Sequence, residues 1–214
     1  MDDEITILVA DDHPILLKGL IQELKSYNYK VLGGAENGAR ALDLIIEWHP
    51  TIAILDVEMP YLTGIEVIQK SREKELPTEF IILTSHKEKG LILQTKELGI
   101  LGYLLKEEPF VEVHRCIQKV VRGTAYYSKV FNDILSNEIV PELEKIKFLT
   151  PSERTILRMV GKGMSSKEIG ETLSISFRTV EKHRANIISK LDLPSHIDAL
   201  SVWIKEHNHL LNKI

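Results

Sequence analysis

One cysteine stands in 214 residues. Cys116 can form no disulfide within the chain, and without an export signal the expected compartment is a reducing cytoplasm. Cys116 falls in an apolar helical pattern, so it reads as core rather than reactive thiol. Long apolar runs are missing too. None approaches the roughly 20 residues that cross a bilayer, so no membrane partner is expected. The amino terminus, Met1-Asp2-Asp3-Glu4, is acidic where a signal peptide would be basic. A strong net charge is also absent. The formal charge of −4 is small for this length, and 43% hydrophobic with 27% charged residues is ordinary for a globular chain.

The charge is unevenly placed. Residues 1–125 carry 14 basic and 20 acidic side chains, and residues 148–214 carry 10 and 7. An acidic front and a basic tail suggest two domains with different partners, the basic one facing nucleic acid. The expected division is a first domain over 1–125, a linker over 126–147 and a second domain over 148–214.

The first domain is organised around Ile52 to Pro60. Four apolar residues, Ile52-Ala53-Ile54-Leu55, run straight into Asp56, and Pro50 and Pro60 bound the stretch. This is the pattern of a strand buried on both faces. Similar runs are Ile5 to Ala10, Phe80 to Leu83 and Gly102 to Leu105, with Lys30 to Ala35 as a further strand. Helical patterns separate them: Pro14 to Tyr27, Ala39 to Trp48, one around Ile65 to Ile68, a weaker one over Gly90 to Leu98, and Val111 to Arg122. Asn37-Gly38 reads as a turn. Five alternations of strand and helix predict a five-stranded parallel α/β sheet with helices on both faces. Ligands of such sheets sit at the carboxyl ends of the strands.

Those ends carry chemistry. Strand one runs into Asp11 and Asp12, strand three into Asp56, strand four ends in Thr84 and strand five runs into Lys106. Three carboxylates packed together repel unless a cation intervenes. Oxygen-only donors suit Mg2+, which keeps positions for water and phosphate oxygens. A carboxylate nucleophile can form an acyl phosphate, with metal and ammonium neutralising the charge that develops during transfer.

Residues 1–125 resemble a response-regulator receiver domain. The matching residues are Asp11-Asp12, Asp56 with Met59-Pro60 and Gly64 after it, Thr84-Ser85, and Gly102-Tyr103-Leu104-Leu105-Lys106. The resemblance implies a flavodoxin-like fold, with Asp56 accepting a phosphoryl group from a sensor histidine kinase. It implies that Asp12 binds Mg2+ directly, Asp11 through water, and Asp56 and the backbone carbonyl of Glu58 as further ligands. Thr84 and Tyr103 would be the switch pair. Many relatives place a proline directly after the lysine; here Glu107 and Glu108 precede Pro109, so no cis bond is expected. Glu58 should lie near the water that attacks the phosphoryl group and affect its lifetime.

Residues 123–147 lack a clean period. They read as a tether with some helix in it, including a short one over Val130 to Leu135. Beyond it, cap signals are dense. Thr150-Pro151-Ser152-Glu153 and Ser165-Ser166-Lys167-Glu168 are capping boxes, and Ser195-His196-Ile197-Asp198 is a weaker third. Helices are expected over 151–160, 166–173, 177–191 and 196–207. Only Ser174-Ile175-Ser176 separates the middle pair, as a helix-turn-helix requires.

This all-α segment resembles the LuxR-type helix-turn-helix, and the pair of domains resembles the NarL/FixJ class of response regulators. The matching residues include Leu149-Thr150, Glu153, Gly163, Lys167-Glu168-Ile169, Leu173, Thr179-Val180, His183, Ile187, Lys190-Leu191 and Leu193. In the recognition helix, Val180, Ile187 and Leu191 share one face and should be core. Arg178, Glu181, Lys182 and Ala185 are the groove-facing candidates, and Thr179, His183, Arg184 and Lys190 the phosphate-facing ones. Glu181 stands where many relatives carry a base, and His196 where an arginine is common.

The expected function is a promoter-binding transcriptional regulator, switched by Mg2+-dependent phosphorylation of Asp56 and homodimeric when phosphorylated. Dimerisation would use helices around Ile15 to Leu24 and Val111 to Val121. Enzymatic activity is expected only as the receiver's own phosphorylation and dephosphorylation. Two rivals stand. A phosphatase with an aspartyl intermediate usually needs a second Asp where Glu58 stands, and it leaves the DNA-binding segment unexplained. The other is a DNA binder whose receiver works without phosphate.

Overall fold

The computed structural model describes residues 4–194 and 199–211. The chain divides into two compact units, Met1–Asn132 and Asp133–Ile214.

In the first unit, strands β1 (Thr6–Ala10), β2 (Lys30–Ala35), β3 (Ile52–Leu55), β4 (Glu79–Thr84), β5 (Gly102–Leu105) and β6 (Tyr126–Tyr127) form one parallel sheet, in the order β2-β1-β3-β4-β5-β6. Parallel neighbours need crossovers, supplied by helices α1 (Pro14–Ser26), α2 (Gly38–Trp48), α3 (Gly64–Glu73), α4 (Lys89–Glu97) and α5 (Phe110–Val120). Every residue of β3 and β5 is buried, which is why these strands are apolar throughout rather than alternating. On one face, Leu17 and Leu24 of α1 and Val113, Ile117 and Val120 of α5 pack on Ile7, Val9, Ile52 and Ile54. Cys116 belongs to this core; burial pushes its thiol pKa up to about 12, far from reactive.

The doubly wound flavodoxin-like order holds. β1 sits between β2 and β3, so the winding reverses beside it and a crevice opens at the carboxyl ends of β1 and β3. The sheet has six strands rather than five. β6 is two residues long, too short to leave a period in the sequence. It is held by pairing of Tyr127 with Tyr103 and by the Ser128 N–H donating to the Tyr103 carbonyl at 2.9 Å. Asn37 is a helix cap rather than a turn: its side chain accepts from the Arg40 N–H. Gly38 then opens α2 because a Cβ there would lie 1.8 Å from the Leu62 carbonyl oxygen.

The segment after β6 is helical almost throughout: α6 (Lys129–Ile134), a π-helical turn (Leu135–Ile139) and α7 (Val140–Lys147). Pro141 accounts for its lost period. Proline has no N–H and its ring crowds the carbonyl four residues back, and a π turn is one way a helix absorbs that.

In the second unit, α8 (Pro151–Gly161), α9 (Ser166–Leu173), α10 (Phe177–Lys190), α11 (Ala199–Glu206) and α12 (Asn208–Leu211) surround Ile156, Leu157, Ile169, Val180, Ile187, Leu191 and Leu200, all fully buried. Both expected capping boxes form, Thr150 with Glu153 and Ser165 with Glu168. The turn between α9 and α10 is tight. Ser174 is left-handed, at φ 56°, and the Ile175 N–H donates to the Gly170 carbonyl at 3.0 Å. A Cβ on Gly170 would stand 2.9 Å from the Ile175 carbonyl oxygen, so the turn needs glycine there. The box expected over 195–198, with His196, lies outside the described residues.

Candidate functional site

Three strand ends, those of β1, β3 and β5, bring the acidic groups and the lysine together. The Asp56 N–H donates to the Ala10 carbonyl at 2.8 Å and the Asp11 N–H to the Ala35 carbonyl at 3.0 Å, continuing the ladders one residue past the strands. The Lys106 N–H does the same to the Thr84 carbonyl at 2.9 Å. Backbone pairing therefore fixes where each side chain starts. The carboxylates of Asp11 and Asp56 are nearly buried. The Lys106 ammonium lies between them, 2.8 Å from Asp11 Oδ2 and 2.7 Å from Asp56 Oδ2. Asp56 Oδ1 accepts from the Val57 N–H at 2.7 Å, and Asp11 Oδ1 from the His13 N–H at 2.9 Å.

The titration of these groups follows from the packing. Burial raises the Asp56 pKa, Lys106 pulls against it, and the Asp11 charge adds to the rise. Burial lowers Lys106, but hydrogen bonds and charge from Asp11 and Asp56 outweigh it and hold the ammonium above its ordinary range.

Asp12 sits at the rim. Its Oδ1 is buried and accepts no hydrogen bond; His13 Nδ1 lies 3.0 Å away, outside hydrogen-bonding geometry. Asp11, Asp12, His13 and Asp56 each offer a donor atom within 4.8 Å of the others. Three carboxylates against one ammonium leave a surplus of negative charge, and one buried oxygen lacks a donor. That is a set of hard oxygen donors suited to a small divalent cation. His13 escaped the sequence reading; it merely follows two acids, and only the fold places it beside both.

Gly64 belongs to this geometry. Its N–H donates to the Val57 carbonyl at 2.9 Å, and a Cβ there would lie 2.2 Å from the Asp56 carbonyl oxygen. Gly64, directly after the α3 cap formed by Thr63 and Glu66, thus packs against the Asp56 backbone.

Thr84 is fully buried, and its Oγ1 accepts from the His86 N–H at 3.1 Å. Tyr103 is buried too, and its hydroxyl donates to the His86 carbonyl at 2.5 Å. The His86 ring stands 3.2 Å from Glu58 Oε2 and 3.2 Å from Glu88 Oε1. The hydrogen bond from its ring to the Glu88 carboxylate raises the His86 pKa against its partial burial, with the charges of Glu88, Glu58 and Asp56 adding to the rise. His86 thus touches Glu58 and Glu88 through its ring, and Thr84 and Tyr103 through its backbone. Nothing in the sequence marked it.

In the second unit, Val180, Ile187 and Leu191 are buried as their spacing predicts. Arg178, Glu181, Lys182 and Ala185 are exposed on α10; Thr179, His183, Arg184 and Lys190 are partly covered. Four of these are engaged inside the unit, Arg184 through its Nε 3.7 Å from Glu181 Oε1. Glu181 Oε1 accepts from Ser166 Oγ at 2.5 Å. Thr179 Oγ1 lies 2.8 Å from the capping Ser176 Oγ. Lys190 Nζ is 2.6 Å from Glu153 Oε2, the nearly buried acid that caps α8. Lys190 is therefore paired with the cap acid of α8 while its side chain stays one-third exposed. His183 Nδ1 is buried without a hydrogen-bond partner.

Two families match the chain: the response regulator receiver domain over residues 7–118 and the bacterial regulatory proteins of the luxR family over residues 147–203. The chain belongs to the NarL/FixJ class of response regulators. This response regulator is 32% identical over 212 residues to the transcriptional regulatory protein YdfI of Bacillus subtilis, covering 94% of this chain and 95% of that one. It is 29% identical over 207 residues to the nitrate/nitrite response regulator protein NarL of Escherichia coli, covering 94% and 95%. Among solved structures, the RcsB response regulator of Salmonella typhimurium superposes with a TM-score of 0.74 at 22% identity, covering 94% of this chain and 99% of that one. A LuxR-family DNA-binding response regulator from Staphylococcus aureus matches at 33% identity, with a TM-score of 0.53, 55% of this chain and 98% of that one. The response regulator thus couples a receiver to a LuxR-type DNA-binding domain and belongs to a family of transcription regulators rather than of metabolic enzymes. Among its described residues, no helix is long and apolar enough to cross a membrane.

Proposed function

We propose that this response regulator takes a phosphoryl group on Asp56 from a sensor histidine kinase, and that the modification controls dimerisation and promoter binding. The observation that carries the proposal is the Lys106 ammonium held between Asp11 and Asp56, beside the donor-free oxygen of Asp12. In the transfer, an Asp56 carboxylate oxygen bonds to phosphorus as the bond from phosphorus to the kinase imidazole nitrogen breaks. That nitrogen leaves with the bonding electron pair.

Asp11, Asp12, Asp56 and the backbone carbonyl of Glu58 would hold Mg2+, which supplies positive charge to the phosphoryl oxygens. Lys106 supplies a second positive charge and orients Asp56. The Thr84 hydroxyl, at the end of β4, is the group to follow the phosphoryl oxygens, and Tyr103 the aromatic that moves with it. Phosphorylation would shift an existing equilibrium rather than create a new state. Glu58, exposed and beside His86, is placed to influence how long the phosphoryl group survives.

A dimer through α1 and α5 is supported by exposed apolar residues there: Ile15 at 87% on α1, Val111 at 40% on α5 and Val121 at 41% just past its end. On α10, exposed Arg178, Glu181, Lys182 and Ala185 are the base-reading candidates, and Thr179, His183 and Arg184 the phosphate contacts. Lys190 contributes to DNA binding through the domain fold. A cytoplasmic location accords with these partners.

The test is intact mass after incubation with acetyl phosphate and Mg2+, beside Asp56→Asn. One added phosphoryl group, lost in the variant and without metal, is the expected result. No addition from acetyl phosphate or from a phosphorylated kinase would leave the phosphate-independent DNA binder.

A further inference from the structure

Glu181 is an acid on the helix that would enter the groove of DNA. Arg178, Glu181, Lys182 and Ala185, at spacings of three, four and seven, form an exposed face of α10, while Val180 and Ile187 are buried. DNA carries one negative charge per about 1.7 Å of its axis. A carboxylate brought against it is repelled unless it meets a donor.

Two groups already hold this carboxylate. Ser166, the first residue of α9 and only 9% exposed, donates its hydroxyl to Glu181 Oε1 at 2.5 Å. Arg184 Nε stands 3.7 Å from the same oxygen. Among the described residues none donates to Oε2, and the Glu181 side chain is 47% exposed. One oxygen is thus fixed from inside the domain, and the other keeps its capacity to accept. Ordering a long side chain costs entropy. Ser166 moves part of that cost from DNA binding to folding, which favours a bound geometry that is already set. The Arg184 charge offsets part of the repulsion from the DNA phosphates.

An ionised carboxylate only accepts hydrogen bonds. The major groove offers it two amino donors, on cytosine and on adenine. Adenine sets its N7 acceptor beside the amino group, a pair that suits an amide and repels a carboxylate. Cytosine presents its amino group with no acceptor beside it on the same base. We propose that Glu181 reads a cytosine, its Oε2 accepting from the base's amino group, and that Ser166 is the positioning residue that holds it for that contact. The inference rests on α10 as the base-reading helix.

Site selection from a random pool of duplex DNA tests it. The full chain is used untreated and after acetyl phosphate with Mg2+, and sequencing counts give the relative affinity for each base at each position. In the wild type, one position of each half-site should favour cytosine by about five- to 150-fold, the range of a good base contact. In Glu181→Ala that preference should fall below about twofold, while other positions keep theirs. Glu181→Gln should turn the same position toward adenine, whose N6 and N7 match an amide. It also serves if the alanine variant folds poorly. Ser166→Ala should weaken the cytosine preference by about threefold or more, and Ser166→Thr, which keeps the hydroxyl, should restore it. A serine that served stability alone would lower the melting temperature without changing one base position.

A cytosine preference that survives Glu181→Ala, or a relaxation spread equally over all positions, would overturn the reading of Glu181. A full preference in Ser166→Ala would overturn the positioning role. A wild type that enriches no sequence in either state would remove α10 as the base-reading helix, and the inference with it.

Discussion

Removing the Lys106 charge should destabilise the receiver and make it more responsive to metal. In Lys106→Met, the stem is replaced by a chain of similar length while the ammonium is lost from 2.7 Å and 2.8 Å of two carboxylates that are each 5% exposed. Two nearly buried negative charges then face each other uncompensated. Breaking a buried ion pair from one side costs about 3–5 kcal/mol. With a urea slope of about 2 kcal/mol per M, the midpoint should fall by about 2 M.

The pH dependence has a definite sign. Burial already raises the Asp56 pKa, and losing Lys106 removes what pulls against that rise. A raised group contributes stability at low pH and loses it as pH rises through the folded pKa. The deficit of the variant against wild type should therefore be small near pH 4 and full by pH 7. Mg2+ should recover more stability in the variant than in wild type, because the cation replaces the missing charge. Urea titration at pH 4 and 7, with and without Mg2+, reads all three effects. Trp48 fluorescence in a Trp203→Phe background confines the signal to the first unit, since these are the chain's two tryptophans. Equal midpoints for the two proteins at pH 7, or a deficit that grows on acidification, would refute the electrostatic argument.

Gly64→Ala places a Cβ 2.2 Å from the Asp56 carbonyl oxygen; overpacking of this kind costs about 1–3 kcal/mol, and phosphoryl uptake should slow, both read on one preparation by melting and intact mass. Glu153→Ala removes a cap from α8 and the partner of Lys190, a loss of about 2–4 kcal/mol from the second unit. Although burial opposes it, Lys190 and Thr150 hold the Glu153 pKa below its ordinary value, so its contribution is present above the unfolded pKa and fades as pH falls through the folded one; calorimetry against pH checks this. Arg178→Ala should lower the slope of log affinity against log salt if it meets phosphate, or relax one base position by about 1–3 kcal/mol if it meets a base. Lys190→Ala should lower the unit's melting temperature and leave the salt slope unchanged, because its ammonium is spent on Glu153.

The sequence by itself determined the alternation of strands and helices, the acids and lysine at the strand ends, the two capping boxes that form and the buried face of α10. Each of these is local. A strand buried on both faces is an unbroken apolar run, a cap is a hydroxyl three residues before an acid, and a helix face is a spacing of three or four. The tertiary structure decided what depends on distance between elements. β6 exists because β5 offers a free edge, not because Tyr126-Tyr127 has a period. His86 and His13 join the acidic site because loops bring them there. The pairing of Lys190 with Glu153 was hidden because the two lie 37 residues apart in the chain. Phe131 drew no notice in a segment without pattern, yet it packs against Tyr103 of β5.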